Sequence, residues 1–331
     1  MPEYVLGIDG GNSKTDVVLA STTGKLLAWV RGPGIDSPLH DVDVWRTLLV
    51  GLVAQARAQA GVSSLSRTVT AVFCLANVDL AVERRLAHRE IQEAGVAEQI
   101  VVQNDTLAVL RAGATRSWGV AVVAGAGINA VGVHPSGRIA RFLALGTISG
   151  DLGGGQDIGV TALGAGVRAG DGRGPATVLS RTVPQHYGLR NPKDVAIAVH
   201  RGDIRYDDLL LLAPLVFAAA AAGDKVATGI LARFADEVAV TTNALIRRLH
   251  LTRTDLEVVL GGGTLQSGDR YVLERVTQRI HETANKAQVG VIQVAPVFGA
   301  VVEALERGGA DQAALRRIRR EMSGGLPTST S

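Results

Sequence analysis

Cysteine is almost missing. The 331 residues include one, Cys74, so no intramolecular disulfide framework can form, and a reduced, cytoplasmic protein is the expected setting. Close histidine pairs are missing too. His40, His88, His134, His186, His200, His250 and His281 are scattered without metal-ligand spacing, which leaves them as structural or surface groups and gives no zinc site. No charge of one sign prevails: 34 Lys and Arg against 31 Asp and Glu leave a formal +3, too even a balance for a nucleic-acid partner. The exception is the group Arg316, Arg317, Arg319 and Arg320. Behind an acidic start at Asp311, it reads as the basic last turn of a helix complementing the macrodipole.

Long apolar runs are also lacking. The longest stretch free of Asp, Glu, Lys and Arg, residues 117–137, holds five glycines and Pro135, a poor membrane span. Residues 209–223 are more apolar but too short and carry Pro214, so a buried helix is expected and no membrane partner. The first residues show neither a basic start nor an apolar signal core, and no export address is expected.

What is present is a globular composition, 47% hydrophobic and 20% charged, with 40 glycines, at a length that suits two domains. The pattern predicts an α/β fold with two similar starts. Strands at 4–9, 16–20 and 25–31 lead to a helix at 42–59, a strand at 68–75, a helix at 80–94, a strand at 99–102 and a helix at 105–112. Strands at 118–124, 129–133 and 138–143 open the second half. It turns helical, with helices at 209–222 and 225–249, before strands at 256–260 and 289–294 and a helix at 297–306. Residues 323–331, all Gly, Pro, Ser, Thr and one Leu, read as a frayed tail. The expected domains are 1–115 and 116–331, the second with a helical insertion. Each is a mixed sheet with helices, and the two face a central cleft whose walls are strand-end loops.

The chemistry concentrates in glycine turns. Between the first two strands stand Asp9, Gly10, Gly11, Asn12, Ser13, Lys14 and Thr15. Glycines admit backbone N–H groups close to phosphate oxygens, Asp9 at the strand end can hold Mg²⁺, and Ser13, Lys14 and Thr15 add donors. A plain hairpin turn is the other reading, since Gly-Gly favours hairpins. It is not a Walker loop: no glycine precedes Lys14 and a strand follows. A second turn, Gly125, Ala126, Gly127, sits at the equivalent place, and a pair of such turns suits a polyphosphate. The strand at 99–102 leads to Asn104 and Asp105. Asp105 is the candidate catalytic residue, a general base for a substrate hydroxyl attacking phosphorus; an N-cap role for Asn104 or Asp105 stands equally open. In the glycine-dense stretch 146–159, Asp151 is a candidate metal or sugar ligand. Asp157 is expected to cap the next helix, and the glycines themselves read equally as flexible linkage. Gly261, Gly262 and Gly263 end a strand where a flat base can lie on bare backbone, or where the chain simply turns.

In these turns the chain resembles the sugar kinase, heat-shock ATPase and actin superfamily, and within it the BadF/BadG/BcrA/BcrD type that includes N-acetylglucosamine kinases. The segment from Asp9 to Thr15 looks like the first phosphate motif and Asn104-Asp105 the connecting motif. Gly125-Ala126-Gly127 looks like the second phosphate motif and Gly261-Gly262-Gly263 the adenosine motif, with Pro296, Gly299 and Ala300 in the final helix. The resemblance implies duplicated ribonuclease H-like (actin-like ATPase) domains with five-stranded sheets. It also implies ATP and Mg²⁺ as cofactors, and phosphorylation of a sugar hydroxyl, foremost the 6-hydroxyl of N-acetylglucosamine, glucosamine or a related aminosugar, by a homodimer. Sugar contacts fall on Asn77, Asn104, Asp105, Leu145, Gly146 and Asp151. The departures are Ala126 and Ile128, where hexosamine kinases carry hydroxyls, and Leu145 and Leu152, where they carry tryptophan and an acid. Asp36 stands where a sugar-binding asparagine is expected, and a carboxylate there favours a protonated amine over an acetamide. Asp79 is a further polar candidate.

Among alternatives, a dehydratase activator of this family needs several cysteines for its cluster, and Cys74 alone cannot supply them. A sugar-sensing regulator needs a DNA-binding module ahead of Gly7, where the sequence has no room for one. A nucleotide-binding protein without catalysis, acting as sensor or partner activator, is favoured by Ala126 and Ile128 and opposed by Asp9 and Asp105.

Overall fold

The computed structural model describes residues 3–63 and 66–323. The chain forms two compact units, one of residues up to Gly119 together with those from Ile292 on, the other Val120–Val291. The expected single boundary near residue 115 therefore needs correcting: the chain returns to its first unit at the end. The reason is apolar burial, described below.

In the first unit β1 (Tyr4–Gly10), β2 (Lys14–Ser21) and β3 (Leu26–Pro33) form an antiparallel meander. After helix α1 (Val42–Gln59), β4 (Thr68–Leu75) pairs parallel with β1. After α2 (Ala81–Glu93), β5 (Gln99–Asn104) pairs parallel with β4. The sheet order is β3-β2-β1-β4-β5, and α3 (Thr106–Gly113) follows. Strand side chains alternate between faces. Leu6, Ile8, Val17, Leu19, Phe73 and Leu75 face Trp45, Leu49 and Leu52 of α1 and Ile91 of α2. Val5, Val18, Ala20, Val72 and Cys74 belong to the opposite core.

That second core is closed from the far end of the chain. Its other wall is α11 (Val297–Arg307), with Val297, Val301 and Leu305, and α12 (Gln312–Ser323), with Leu315 and Ile318. Each such side chain taken from water contributes about 1.5–3 kcal/mol, enough to hold α11 on this sheet. The fit is close. A Cβ on Gly7 would lie 2.4 Å from the Val301 amide nitrogen, and one on Gly299 would lie 2.0 Å from the Ala108 carbonyl oxygen on α3. The buried Arg111 of α3 and the exposed Glu306 of α11 add an ion pair with two 2.6 Å hydrogen bonds.

The second unit has the sheet order β10-β9-β6-β7-β8. Its strands are β6 (Gly119–Ala124), β7 (Ile128–Val133), β8 (Ile139–Arg141), β9 (Glu257–Gly261) and β10 (Gln288–Val291). Between β8 and β9 lie α4 (Gly154–Gly170), α5 (Leu179–His186), α6 (Pro192–Arg201), a 3₁₀ segment (Tyr206–Leu212), α7 (Ala213–Ala221) and α8 (Lys225–Arg248). The short α9 (Gly263–Gln266) and α10 (Arg270–His281) separate β9 from β10. The helix expected over 209–222 is thus split, with Pro214 in the first turn of α7, where its missing N–H costs nothing. Among the described residues no single helix is long and apolar enough to cross a membrane. Tyr206–Ala221 and Lys225–Arg248 qualify only as a pair, bent by 118°. β8 and β10 are shorter than expected, and residues 324–331 of the expected tail lie outside the described residues.

Candidate active site

In the first unit the pairing registers lay a polar row across the carboxyl end of β1. Arg31 pairs with Asp16, Asp16 with Asp9, Asp9 with Cys74, and Cys74 with Gln103. All lie on the α11 side. Asp16 is fully buried; its Oδ1 accepts from Trp29 Nε1 (3.0 Å) and Arg31 Nε (2.8 Å), its Oδ2 from Arg31 Nη2 (3.0 Å), and Lys14 Nζ lies 4.0 Å away. Gln103 Nε2 donates to Glu303 of α11 (2.8 Å) and to Cys74 Sγ (3.3 Å). Burial, with the Glu303 carboxylate next, pushes the Cys74 thiol well up, so it is an unreactive core group.

Asp9 is the electrostatic focus. Its carboxyl is held well above the ordinary value, first by desolvation, then by the charges of Asp105 and Asp16, with Lys14 and Arg31 opposing. Asp9 and Asp105 therefore feel each other as like charges, a state that a divalent cation relieves. Asp105 begins α3 but its side chain makes no capping bond. That duty falls to Asn104, whose Oδ1 accepts from the Thr106 amide (3.1 Å) and hydroxyl (2.5 Å), while its Nδ2 donates to Asp79 (3.0 Å). Of the two readings of Asn104-Asp105, capping describes Asn104.

The loop tip, Asn12, Ser13 and Lys14, is exposed, whereas Thr15 is fully buried and its hydroxyl has no hydrogen-bond partner among the described residues. Thr15, expected among the phosphate donors, shares the face of Val17 and Leu19 and turns toward α1, because alternation along β2 sends it there. Asn77, in the left-handed region at φ 59°, donates to Asn12 Oδ1 (2.6 Å) and the Ile35 carbonyl (3.4 Å); it ties the loop to the segment after β3. Asp36 in that segment is exposed. It accepts from the Ser37 amide (2.7 Å) and from His40 (2.9 Å), and the His40 hydrogen bond leads in holding its carboxyl below the ordinary value.

In the second unit Val123 of β6 pairs with Gly261 of β9, which brings the turns Gly125-Ala126-Gly127 and Gly261-Gly262-Gly263 side by side. The start of α4 braces the first of them. The Gly155 amide donates to the Gly125 carbonyl (2.8 Å), the Gln156 amide to that of Ala126 (2.9 Å), and Thr264 Oγ1 to Gly125 (3.3 Å). Gly154, at φ 84°, would place a Cβ 2.5 Å from the Gly127 carbonyl, so no other residue fits. Ala126 is exposed, while Ile128 is buried and would meet a Cβ on Gly153 at 3.4 Å. A branched apolar side chain there belongs to the core.

Asp157 does not cap α4, which begins at Gly154; it lies in the first turn and pairs with Arg233 at 2.9 Å. The glycines of 154–159 are helix, not linker. Asp151 accepts from the Ser149 hydroxyl, its amide donates to the Gly146 carbonyl (2.9 Å), and Leu145 is 41% exposed. Asp9 and Asp105 belong to the first unit and Asp151 to the second. Asp16, Arg31, Trp29, Gln103 and Glu303 escape sequence reading. None gave a signal: even Asp16, beside Lys14 and Thr15 at the start of β2, reads as a surface carboxylate.

The family model described as the BadF/BadG/BcrA/BcrD ATPase family matches residues 6–304. An N-acetylmuramic acid/N-acetylglucosamine kinase of Clostridium acetobutylicum is 27% identical over 91% of this chain and 97% of its own. An N-acetyl-D-glucosamine kinase of Dictyostelium discoideum is 25% identical over 92% and 98%. A solved structure from Chromobacterium violaceum, described as an N-acetylglucosamine kinase, superposes with TM-score 0.70 at 22% identity over 90% of this chain and 98% of that one. The last likeness is one of fold.

Proposed function

We propose, from the premise that this chain belongs to the BadF/BadG/BcrA/BcrD ATPase family and has its duplicated ribonuclease H-like fold, that it is an ATP-dependent kinase of an amino sugar. The observation that carries the reading is the meeting of Asp9 and Asp105 in one electrostatic field beside a loop whose tip, Asn12 to Lys14, is exposed. Asp105 is the general base: its carboxylate accepts the proton of the acceptor hydroxyl as that oxygen attacks the terminal phosphorus. The loop Gly10-Gly11-Asn12-Ser13-Lys14 contributes N–H and ammonium donors to phosphate, as does Gly125-Ala126-Gly127. Gly261-Gly262-Gly263 offers bare backbone to the adenosine.

Magnesium fits the residues present. Asp9 has a carboxylate neighbour whose charge raises its proton affinity, and Mg²⁺ bound at Asp9 would supply charge neutralisation for the phosphates. The sign of the pH effect follows. With Asp9 raised in the folded state, stability falls as pH climbs from the ordinary value of 3.8 through the raised folded value. Asp9→Asn should remove that fall and make the ligand-free protein more heat-stable at pH 8. It should also abolish the extra stabilisation by Mg-ADP. Melting curves at pH 5 and pH 8, with and without Mg-ADP, decide it; a variant that keeps the full nucleotide increment rules out Asp9 as the cation residue.

For the sugar, the relatives named above act on acetamido sugars, and Asp36 spends its carboxylate on Ser37 and His40. Both favour N-acetylglucosamine over glucosamine, with the primary 6-hydroxyl, the least hindered alcohol, as acceptor. ADP release measured across hexoses, hexosamines and N-acetylhexosamines tests the reading, and no sugar-dependent release from any of them rejects it. In the same assay Asp36→Asn should leave the preference between acetylated and free amine within about fivefold, the reach of an exposed charge pair. A larger loss confined to glucosamine would restore Asp36 as an amine ligand.

A further inference from the structure

Asp16 stands out because nothing in the proposed chemistry uses it. Its neighbours on the same face of β2, Val18 and Ala20, are part of the apolar core against α11, yet Asp16 is a carboxylate with no exposure. A buried charge pair costs desolvation that its attraction scarcely offsets, and apolar replacements are often as stable. Stability is therefore a weak reason for its being there. The three hydrogen bonds it accepts come from two directions: Arg31 forks onto both oxygens, and Trp29 adds its ring N–H. Trp29 is itself wedged edge-on against Phe298 of α11, ring centroids 4.9 Å apart. The anchor thus has one end in the core and the other under the glycine loop. There Asp16 pairs in register with Asp9, and Lys14 Nζ is 4.0 Å from Asp16 Oδ2.

We infer that Asp16, held by Arg31 and Trp29, is a positioning residue for the first glycine loop, aiming the Lys14 ammonium and the Arg31 guanidinium for polyphosphate beside Asp9. Lys14 and Arg31 are each about half exposed at the side chain, so both cations keep a face open to an anion while Asp16 fixes the other. A Lys on a flexible stem otherwise loses rotamer freedom when it grips a phosphate; a carboxylate that restrains it beforehand lowers that cost. The inference rests on the kinase reading for its ligand, Mg-ATP, but not on the identity of the sugar.

The test is calorimetric binding of Mg-ADP to the full chain, beside KM for Mg-ATP and for sugar. Asp16→Asn keeps the shape and loses the charge. It should weaken Mg-ADP about tenfold, the scale of one charged hydrogen bond, and raise KM for Mg-ATP in step, while KM for sugar stays put. Lys14→Ala should weaken Mg-ADP in the native background and add little on top of Asp16→Asn, because the two act as one unit. Should Asp16→Asn fail to fold, Trp29→Phe, which keeps the contact with Phe298 and removes the donor, and Arg31→Lys, which keeps the charge and loses the fork, carry the same measurement with smaller shifts of the same sign. Unchanged Mg-ADP affinity in folded Asp16→Asn overturns the inference, as does a rise in sugar KM equal to that for Mg-ATP. Native protein that binds Mg-ADP but phosphorylates no sugar sinks the kinase reading alone, and the Asp16→Asn binding loss then still supports the inference. Native protein that binds no Mg-ADP overturns both.

Discussion

Asp105→Asn should lose sugar-dependent turnover by at least about a hundredfold, the lower range for removing a general base, and keep its affinity for Mg-ADP. The substitution spares the helix cap. Asn104, not Asp105, satisfies the first turn of α3 through its bonds to Thr106, so helix capping survives. Removing the charge also relieves its repulsion of Asp9, so the ligand-free variant should melt no lower than the native chain. ADP release gives the turnover and calorimetry the affinity. Turnover above a tenth of native, or collapse of nucleotide binding with turnover, would move the base elsewhere.

Gly299→Ala should be costly out of proportion to one methyl group. The new Cβ would stand 2.0 Å from the Ala108 carbonyl oxygen and 2.8 Å from the Ala112 amide nitrogen, both helix backbone that cannot rotate away. Nor can α11 retreat freely, because its Val301 backbone already sits where a side chain on Gly7 would be. Overpacking of this kind costs about 1–3 kcal/mol. Moving α3 also displaces Asp105 at its start, and a misplacement near 1 Å can cost about a hundredfold in rate. Denaturant unfolding and kcat should both fall. Gly229→Ala in α8, where a Cβ meets nothing within 4 Å, is the matched control and should gain about 0.5–1 kcal/mol. Equal behaviour of the two variants would show that α11 and α3 slide past the clash.

Much of this was legible in the residues. α1 and β4 fall where period and composition put them, at Val42–Gln59 and Thr68–Leu75, because long amphipathic and β-branched runs carry their own signal. The glycine turns at 10–11, 125–127 and 261–263 stand at strand ends, as their spacing demanded. Residues 154–159 misled: glycine propensity argues against helix, but α4 begins there because only glycine lets it lie on the Gly127 carbonyl. Tertiary contact overrode local preference. The same is true of the domain boundary, since nothing within residues 292–323 announces that their apolar stripe belongs to strands made some three hundred residues earlier. Thr15 sits one residue beyond Lys14 in the motif, yet strand alternation turns it inward. Asp16 was hidden for the opposite reason: a carboxylate at a strand start reads as surface until Arg31 and Trp29 are seen to enclose it.

The placement of α11 has an outcome for synthesis. A ribosome that has delivered β1 to β5 has made a five-stranded sheet with one greasy side bare, and Val5, Val18 and Val72 stay uncovered until Val297–Leu305 emerge. Residues 120–291, by contrast, hold all of their own sheet and the helices upon it. The portion translated first is therefore completed last, and Asp9 and Asp105 lie in a unit that is finished only when the chain is nearly whole.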